Sequence, residues 1–168
     1  RLTDILIDHG IVPVYNPVFQ GFGWKGGQTL GNHADPGEYS RYVRYLIARY
    51  GARPAMWLIS ADGYGDEPVV EPAGETVQEW DAYGQPTGIH YSPYDDLMPD
   101  WSDEPRFGFH FNRAHQEKAW LDFQWAQTGH NAEHHSHEVF GMYENEPVRA
   151  AANGEPTYER IGAPDRAT

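Results

Sequence analysis

The sequence predicts an α/β fold: about five parallel strands with helices outside them, which an eight-stranded βα barrel and an open doubly wound sheet both satisfy. Two observations carry this. Apolar runs of strand length alternate with stretches of helical period, and a strand–crossover–strand order puts strands parallel with helices on the sheet faces. No GxGxxG follows the first strand and no GxxxxGK[ST] occurs, so the nucleotide-binding versions of an open, doubly wound sheet lose support. A complete βα barrel takes about 250 residues, so if the chain is a barrel its 168 residues are a piece of one, over residues 1–162 with a frayed end at 163–168.

The elements follow in order. Residues 1–10 read as the tail of a helix, with Leu2, Ile5 and Leu6 on one face and Gly10 at the left-handed cap position. The run Ile11 to Phe19 reads as a buried strand, weakened in its second half by prolines. Residues 20–34 read as loop. Asp35-Pro36-Gly37-Glu38 then gives an N-cap acceptor, a first-turn proline and a Glu three places after the cap. Behind it Tyr39, Tyr42, Val43, Leu46, Ile47 and Tyr50 form one apolar stripe, ended by Gly51 and Pro54. Ala55 to Ser60 is the second strand, 75–83 a helix and Thr87 to Tyr91 the third strand. Residues 92–118 carry no clear period. Trp120 to Gln127 alternates as the fourth strand, 131–137 is a His-rich loop, 139–145 a helical turn, and Val148 to Asn153 the fifth strand.

Composition narrows the function. With 12 Lys+Arg against 25 Asp+Glu, the formal charge is −13. That argues against nucleic acid and against an anionic membrane surface as partners. No apolar run reaches the ~18 residues that a membrane span needs. The chain opens on Arg1 without a signal-like stretch, so no targeting is read. The absence of Cys removes disulfides, thiolate metal sites and Cys nucleophiles. Aromatics reach 14 %, with 6 Trp and 11 Tyr, and this abundance beside many carboxylates suits an oligo- or polysaccharide partner.

In βα barrels the reacting groups stand at the C-terminal ends of the strands. There the sequence places Asn16, Phe19 and Trp24; Asp62, Asp66 and Glu67; His90 and Tyr91; Gln127 and His130; and Asn153, Glu155 and Tyr158. Two carboxylates converging on one rim with amides and aromatics fit glycoside hydrolysis. Asp62 and Glu155 are the pair chosen, because each follows a buried strand among small neighbours that let a substrate approach. N-capping of a following helix stays open for both on spacing alone. His90, Tyr91, Gln127 and His130 are expected to hydrogen-bond sugar hydroxyls, and Trp24 or Trp125 to stack on a ring. Asn153 or Tyr158 would hold the nucleophile ionised. The facing of Trp125 stays open, between a core role and a sugar role. His130, His134, His135 and His137 invite a metal, but no HExxH exists and the spacing is not helical. No metal and no other cofactor are expected. A metal-dependent hydrolase using this His-rich loop is the third reading, and a non-catalytic carbohydrate-binding barrel the second.

Three blocks resemble the apiosidase-like glycoside hydrolases, a βα-barrel family. They are Tyr42-Val43-Arg44-Tyr45-Leu46 through Arg53-Pro54 to Trp57 and Asp62; Trp120-Leu121-Asp122-Phe123 with Gln127-Thr128-Gly129-His130; and Asn153-Gly154-Glu155-Pro156-Thr157-Tyr158-Glu159. Order and spacing match over residues 1–162. The resemblance implies a (β/α)8 catalytic domain with its acid/base on the fourth strand and its nucleophile on the seventh. On that mapping the five strands are the third to the seventh, Asp62 is the general acid/base and Glu155 the nucleophile. It implies action on plant-type, apiose-containing pectic polysaccharide, and a secreted or periplasmic location. The family often has Gly-Gly-Asp where Ser60-Ala61-Asp62 stands here, and Asp66 is a rival for the acid/base. Without the first, second and eighth strands, the isolated chain is expected to be inactive and prone to aggregate.

Overall fold

The computed structural model describes residues 2–20, 30–63, 65–91, 114–127 and 136–156. Its elements are α1 (Leu2–Asp8), β1 (Val14–Tyr15), α2 (Leu30–His33), α3 (Pro36–Tyr50), β2 (Met56–Gly63), α4 (Val70–Trp80), β3 (Thr87–Tyr91), β4 (Phe123–Gln127), α5 (Ser136–Tyr143) and β5 (Ala150–Glu155). The five strands form one parallel sheet in the order β1-β2-β3-β4-β5. A doubly wound sheet reverses its strand order at a switch point. A sheet whose neighbours in space are neighbours in sequence is an arc of a (β/α)8 barrel, and the chain is that partial barrel.

The strands separate two apolar layers. On the helix side, Trp57, Ile59, Ile89 and Ala126 of the sheet meet Val43 and Ile47 of α3, Val70, Ala73 and Val77 of α4, and Leu121. On the other side, Leu58, Ala61 and Phe123 pack with Met56, Phe19 and Trp125. Coverage on both faces explains why β2 reads as a continuous apolar run instead of an alternation.

Local chemistry sets the element ends. Gly10 takes φ +75° after α1, as the cap position requires. The Asp35 side chain accepts from Gly37 N at 2.9 Å and Glu38 N at 3.0 Å, and Pro36 opens α3. The stripe on α3 is narrower than the sequence suggests. Tyr39, Val43 and Ile47 are buried, whereas Tyr42 is 46 % exposed. The Tyr39 hydroxyl donates to Ile59 O, and burial pushes this phenol well above its ordinary range. Asp81 ends α4 and starts the turn into β3. Its carboxylate accepts from Trp57 Nε1 at 3.0 Å, from Tyr83 N at 3.1 Å and from Gln85 N at 2.9 Å.

Several boundaries differ from expectation, each for a physical reason. Only Val14 and Tyr15 of the run 11–19 pair with β2, because Pro13 and Pro17 have no N–H to give to a ladder. A helical turn, α2, lies inside the stretch read as loop. The fourth helix starts at Val70, not 75, and ends at Trp80. Pro72 sits in its first turn, where a missing N–H costs little. Trp120 and Leu121 precede β4; they cap the helix-side core from a turn. The helix α5 extends back to Ser136, and β5 lies two residues later than read, at Ala150–Glu155. The expected frayed end at 163–168 lies outside the described residues.

Candidate active site

Asp62 and Glu155 belong to the last residues of two strands, β2 and β5, that are not neighbours in the sheet. Strict alternation alone would not aim both at the inner face. Register irregularities do it. Along β2 the register slips twice, between Leu58 and Ser60 and again where Ala61 pairs with His90 and Gly63 with Tyr91, so Asp62 is an extra residue in the ladder. It takes φ +55°, a left-handed conformation that Asp tolerates better than most residues. Along β5, Asn153 pairs with Ala126 and Glu155 with Gln127, so Gly154 is the extra residue. This slip moves Glu155 to the side of Trp125. Bulges of this kind re-aim side chains beside active sites.

The Gln20 backbone and side chain brace the bulge at Asp62. Gln20 N donates to Ala61 O at 2.8 Å, while Gln20 Oε1 accepts from Ala61 N at 3.2 Å and from the Ser60 hydroxyl at 3.1 Å. The bulge on β5 needs glycine. A Cβ at 154 would stand 2.7 Å from Trp125 Cβ, so the strand can pass the indole only without a side chain.

Both carboxylates line one cleft of about 350 Å³, open to solvent at the C-terminal ends of the strands. That size is at the small end of ligand pockets, about 300–1,000 Å³. Phe19, Leu58 and Trp125 form its apolar walls, and Asn16, His90 and Pro156 complete the rim. Asn16 is anchored below, its amide nitrogen donating to Val18 O at 2.7 Å and Leu58 O at 3.2 Å. His90 lies between the two acids. Its Nδ1 is 3.3 Å from Asp62 Oδ1 and its Nε2 is 3.6 Å from Glu155 Oε2. The His90 side chain is 7 % exposed, against 19 % for Asp62 and 18 % for Glu155. One ligand atom from each of the three residues lies within 4.8 Å of the others. This is close enough to share a proton, and also close enough to share a small cation.

Other residues singled out from the sequence fall elsewhere. Tyr91 does not reach the cleft. It follows His90 on β3 and therefore points to the opposite face, 1 % exposed in the helix-side core. Its hydroxyl donates to Ala114 O at 3.1 Å and accepts from Gln124 Nε2 at 3.1 Å, and burial raises this phenol above its ordinary range. Gln127 is buried in register with Glu155, and Asn153 is exposed; neither is among the cleft residues. Asp66 is exposed and stands off the cleft, unlike Asp62. Trp24, His130 and Tyr158 lie outside the described residues, as do His134 and His135. Trp125, whose facing the sequence left open, is a cleft wall, tilted 49° against Phe123 at 5.4 Å.

Comparison with known proteins places this geometry. The family described as "Apiosidase-like, catalytic domain" matches residues 2–167. Among solved structures, a glycoside hydrolase family 5 protein from Bacteroides vulgatus superposes with a TM-score of 0.68 at 20 % identity, covering 95 % of this chain and 34 % of that one. A second, titled "Glycoside hydrolase", gives a TM-score of 0.67 at 18 % identity, covering 92 % and 34 %. The chain thus spans about a third of the length of these structures, and at such identities the likeness is one of fold. No curated protein matches the chain.

Proposed function

The chain belongs to the apiosidase-like catalytic-domain family, and from that premise we propose that it carries the acid/base and nucleophile of a retaining glycoside hydrolase. Asp62 is the acid/base and Glu155 the nucleophile. The observation that carries this reading is the convergence of these two carboxylates, from non-adjacent strands, on one solvent-open cleft walled by Trp125 and Phe19. The close approach of the two acids, with ligand atoms within 4.8 Å, agrees with the roughly 5–5.5 Å between carboxyl groups of retaining enzymes. The roughly 6.5–9.5 Å of inverting ones leaves room for a water between.

The chemistry needs different charge states on the two acids. In the first step the Glu155 carboxylate attacks the anomeric carbon, the glycosidic C–O bond breaks, and Asp62 gives its proton to the departing oxygen. In the second, the Asp62 carboxylate takes a proton from water, whose oxygen displaces Glu155 from the anomeric carbon with a second inversion. Trp125 offers its ring face to a sugar, and Asn16 sits where a hydroxyl can be met. Trp24, His130 and Tyr158 keep the sugar-binding roles that the sequence suggests. The substrate class that the family name favours is apiose-containing pectic polysaccharide.

The test is hydrolysis of aryl glycosides and pectic oligosaccharides by the intact protein, beside D62N, E155Q and D66N. Loss of turnover in the first two with D66N near wild type is the expected result. Sugar binding without turnover in the unmutated protein would make it a binding barrel. Loss of activity on chelation, with E155Q still active, would make it a metal hydrolase.

A further inference from the structure

His90 faces Asp62 with one ring nitrogen and Glu155 with the other. A neutral imidazole carries one N–H, so it donates on one side and accepts on the other. Asp62 Oδ1 and His90 Nε2 are both buried without a formed hydrogen bond among the described residues. One proton placed on each would satisfy both contacts once the His90–Glu155 separation, 3.6 Å, closes by a few tenths of an ångström. We propose that His90 is a positioning residue that sorts protons between the two acids. The arrangement is Asp62 Oδ–H donating to His90 Nδ1, and His90 Nε2–H donating to the Glu155 carboxylate. This inference rests on the glycosidase reading of the same cleft and deepens it. It gives Asp62 the proton that an acid must hold and keeps Glu155 charged as a nucleophile must be.

Among the described residues, the two acids are the charged groups that face the imidazole. From β2 it faces Asp62, and from β5 it faces Glu155. Its register partner on β4 is Trp125, and the segment after β1 brings Asn16 and Phe19 to the cleft, none of them charged. During the reaction His90 keeps its proton. Asp62 loses its own to the leaving oxygen and regains one from water, while Nδ1 accepts again when Asp62 is reprotonated. The residue therefore acts through the carboxyl groups, in place of the direct sugar contact that the sequence suggests for it.

Two measurements test the proposal. The first is the tautomer of His90 in the 15N-histidine-labelled intact protein at neutral pH, read from two-bond proton–nitrogen correlations. The expected pattern is a protonated Nε2 with a bare Nδ1. An imidazolium, an Nδ1–H tautomer or an average of the two tautomers would overturn it. The second is the pH profile of kcat/KM for wild type, H90Q and H90F. Loss of the acceptor at Nδ1 lets Asp62 ionise earlier, so the alkaline limb moves down by about one pH unit in H90F, whereas the Gln amide oxygen of H90Q can still accept. Loss of the donor to Glu155 moves the acidic limb up by about one pH unit in H90F alone, since the Gln amide still donates. KM stays within about two-fold of wild type while kcat falls, the pattern of a lost transition-state interaction. A raised KM with both limbs unmoved would show a sugar contact and refute the positioning role. A wild-type protein that turns over no glycoside defeats the glycosidase reading, and the tautomer then decides the bridge by itself.

Discussion

Gly154→Ala is the sharpest probe of how the site is built. The new methyl carbon would stand 2.7 Å from Trp125 Cβ, 2.8 Å from Cε3 and 2.9 Å from Cδ2. Carbon atoms rest at about 3.5–4.0 Å, so either the indole or the strand must move by most of an ångström. Overpacking of this kind costs about 1–3 kcal/mol, which in a domain of this size lowers Tm by roughly 2–4 °C per kcal/mol. The larger effect is on the reaction. Residue 154 is the bulge that turns Glu155 into the cleft, and a displacement of ~1 Å in a reacting group costs on the order of 100-fold. Thermal melting followed by Trp fluorescence gives the first quantity, and kcat/KM on an aryl glycoside the second. W125A in the same background separates the causes. W125A removes the Cε3 and Cδ2 contacts but keeps the Cβ contact at 2.7 Å, so the coupling that a double-mutant cycle isolates is the indole's share of the lost Tm. G154A with wild-type melting and wild-type kcat/KM would refute the argument.

Asp81→Ala removes the shared acceptor of Trp57 Nε1, Tyr83 N and Gln85 N; leaving the buried indole N–H unpaired is expected to cost at least ~1–3 kcal/mol in urea denaturation, with no gain in any condition. Lys118 holds the Glu71 carboxyl below its ordinary value, and Glu71 holds the Lys118 ammonium above its own, in an ion pair open to solvent. The depressed carboxyl contributes stability that is present above the unfolded-state value of about 4.3 and lost as pH falls through the folded one. The raised ammonium contributes stability that is present below about 10.4 and lost as pH rises through its folded value. The wild-type advantage over E71Q should therefore be confined to the window between these limits. Because the pair is exposed, it should be small and disappear in about 1 M salt, as melting curves across pH can show.

Much of the fold was legible because local chemistry and tertiary packing agree. The helix α3 could be read from Asp35, Pro36 and the spacing of Val43 and Ile47, and each of these does in the structure what its type suggests. The strand β3 was legible to the residue, since Pro86 and Gly88 flank the start of a short buried run. The fourth helix was harder to bound. Val69 caps it without any side-chain hydrogen bond, so no residue marks its start, and Pro72 reads as a breaker although it lies in the first turn. Trp120 and Leu121 look continuous with β4 because apolar character does not distinguish a strand from the turn that covers its end.

The cleft was legible in the two acids that line it and opaque in their surroundings. Small neighbours and the end of an apolar run draw attention to Asp62 and Glu155. Which face each side chain takes depends on three register slips, two on β2 and one on β5, and a period-2 reading has no place for an inserted residue. The same difficulty left the facing of Trp125 open, and the sequence offers His90 and Tyr91 the same role. Adjacent on one strand, they point to opposite faces, and only His90 meets the cleft. Gln20 was missed because its brace on Ser60 and Ala61 joins residues forty or more positions apart, and nothing in its own neighbourhood announces it.

The central claim is that Glu155 forms a bond to sugar while Asp62 handles the proton. Mass spectrometry of D62N, acid-quenched during turnover of a dinitrophenyl glycoside, tests it most directly. Such a leaving group departs without an acid, whereas release from the protein still needs the missing base, so the glycosylated form should accumulate. The account expects a sugar adduct on the peptide containing Glu155, absent from the D62N/E155Q double variant. An unmodified chain during continuing turnover, or an adduct on any other residue, would contradict it.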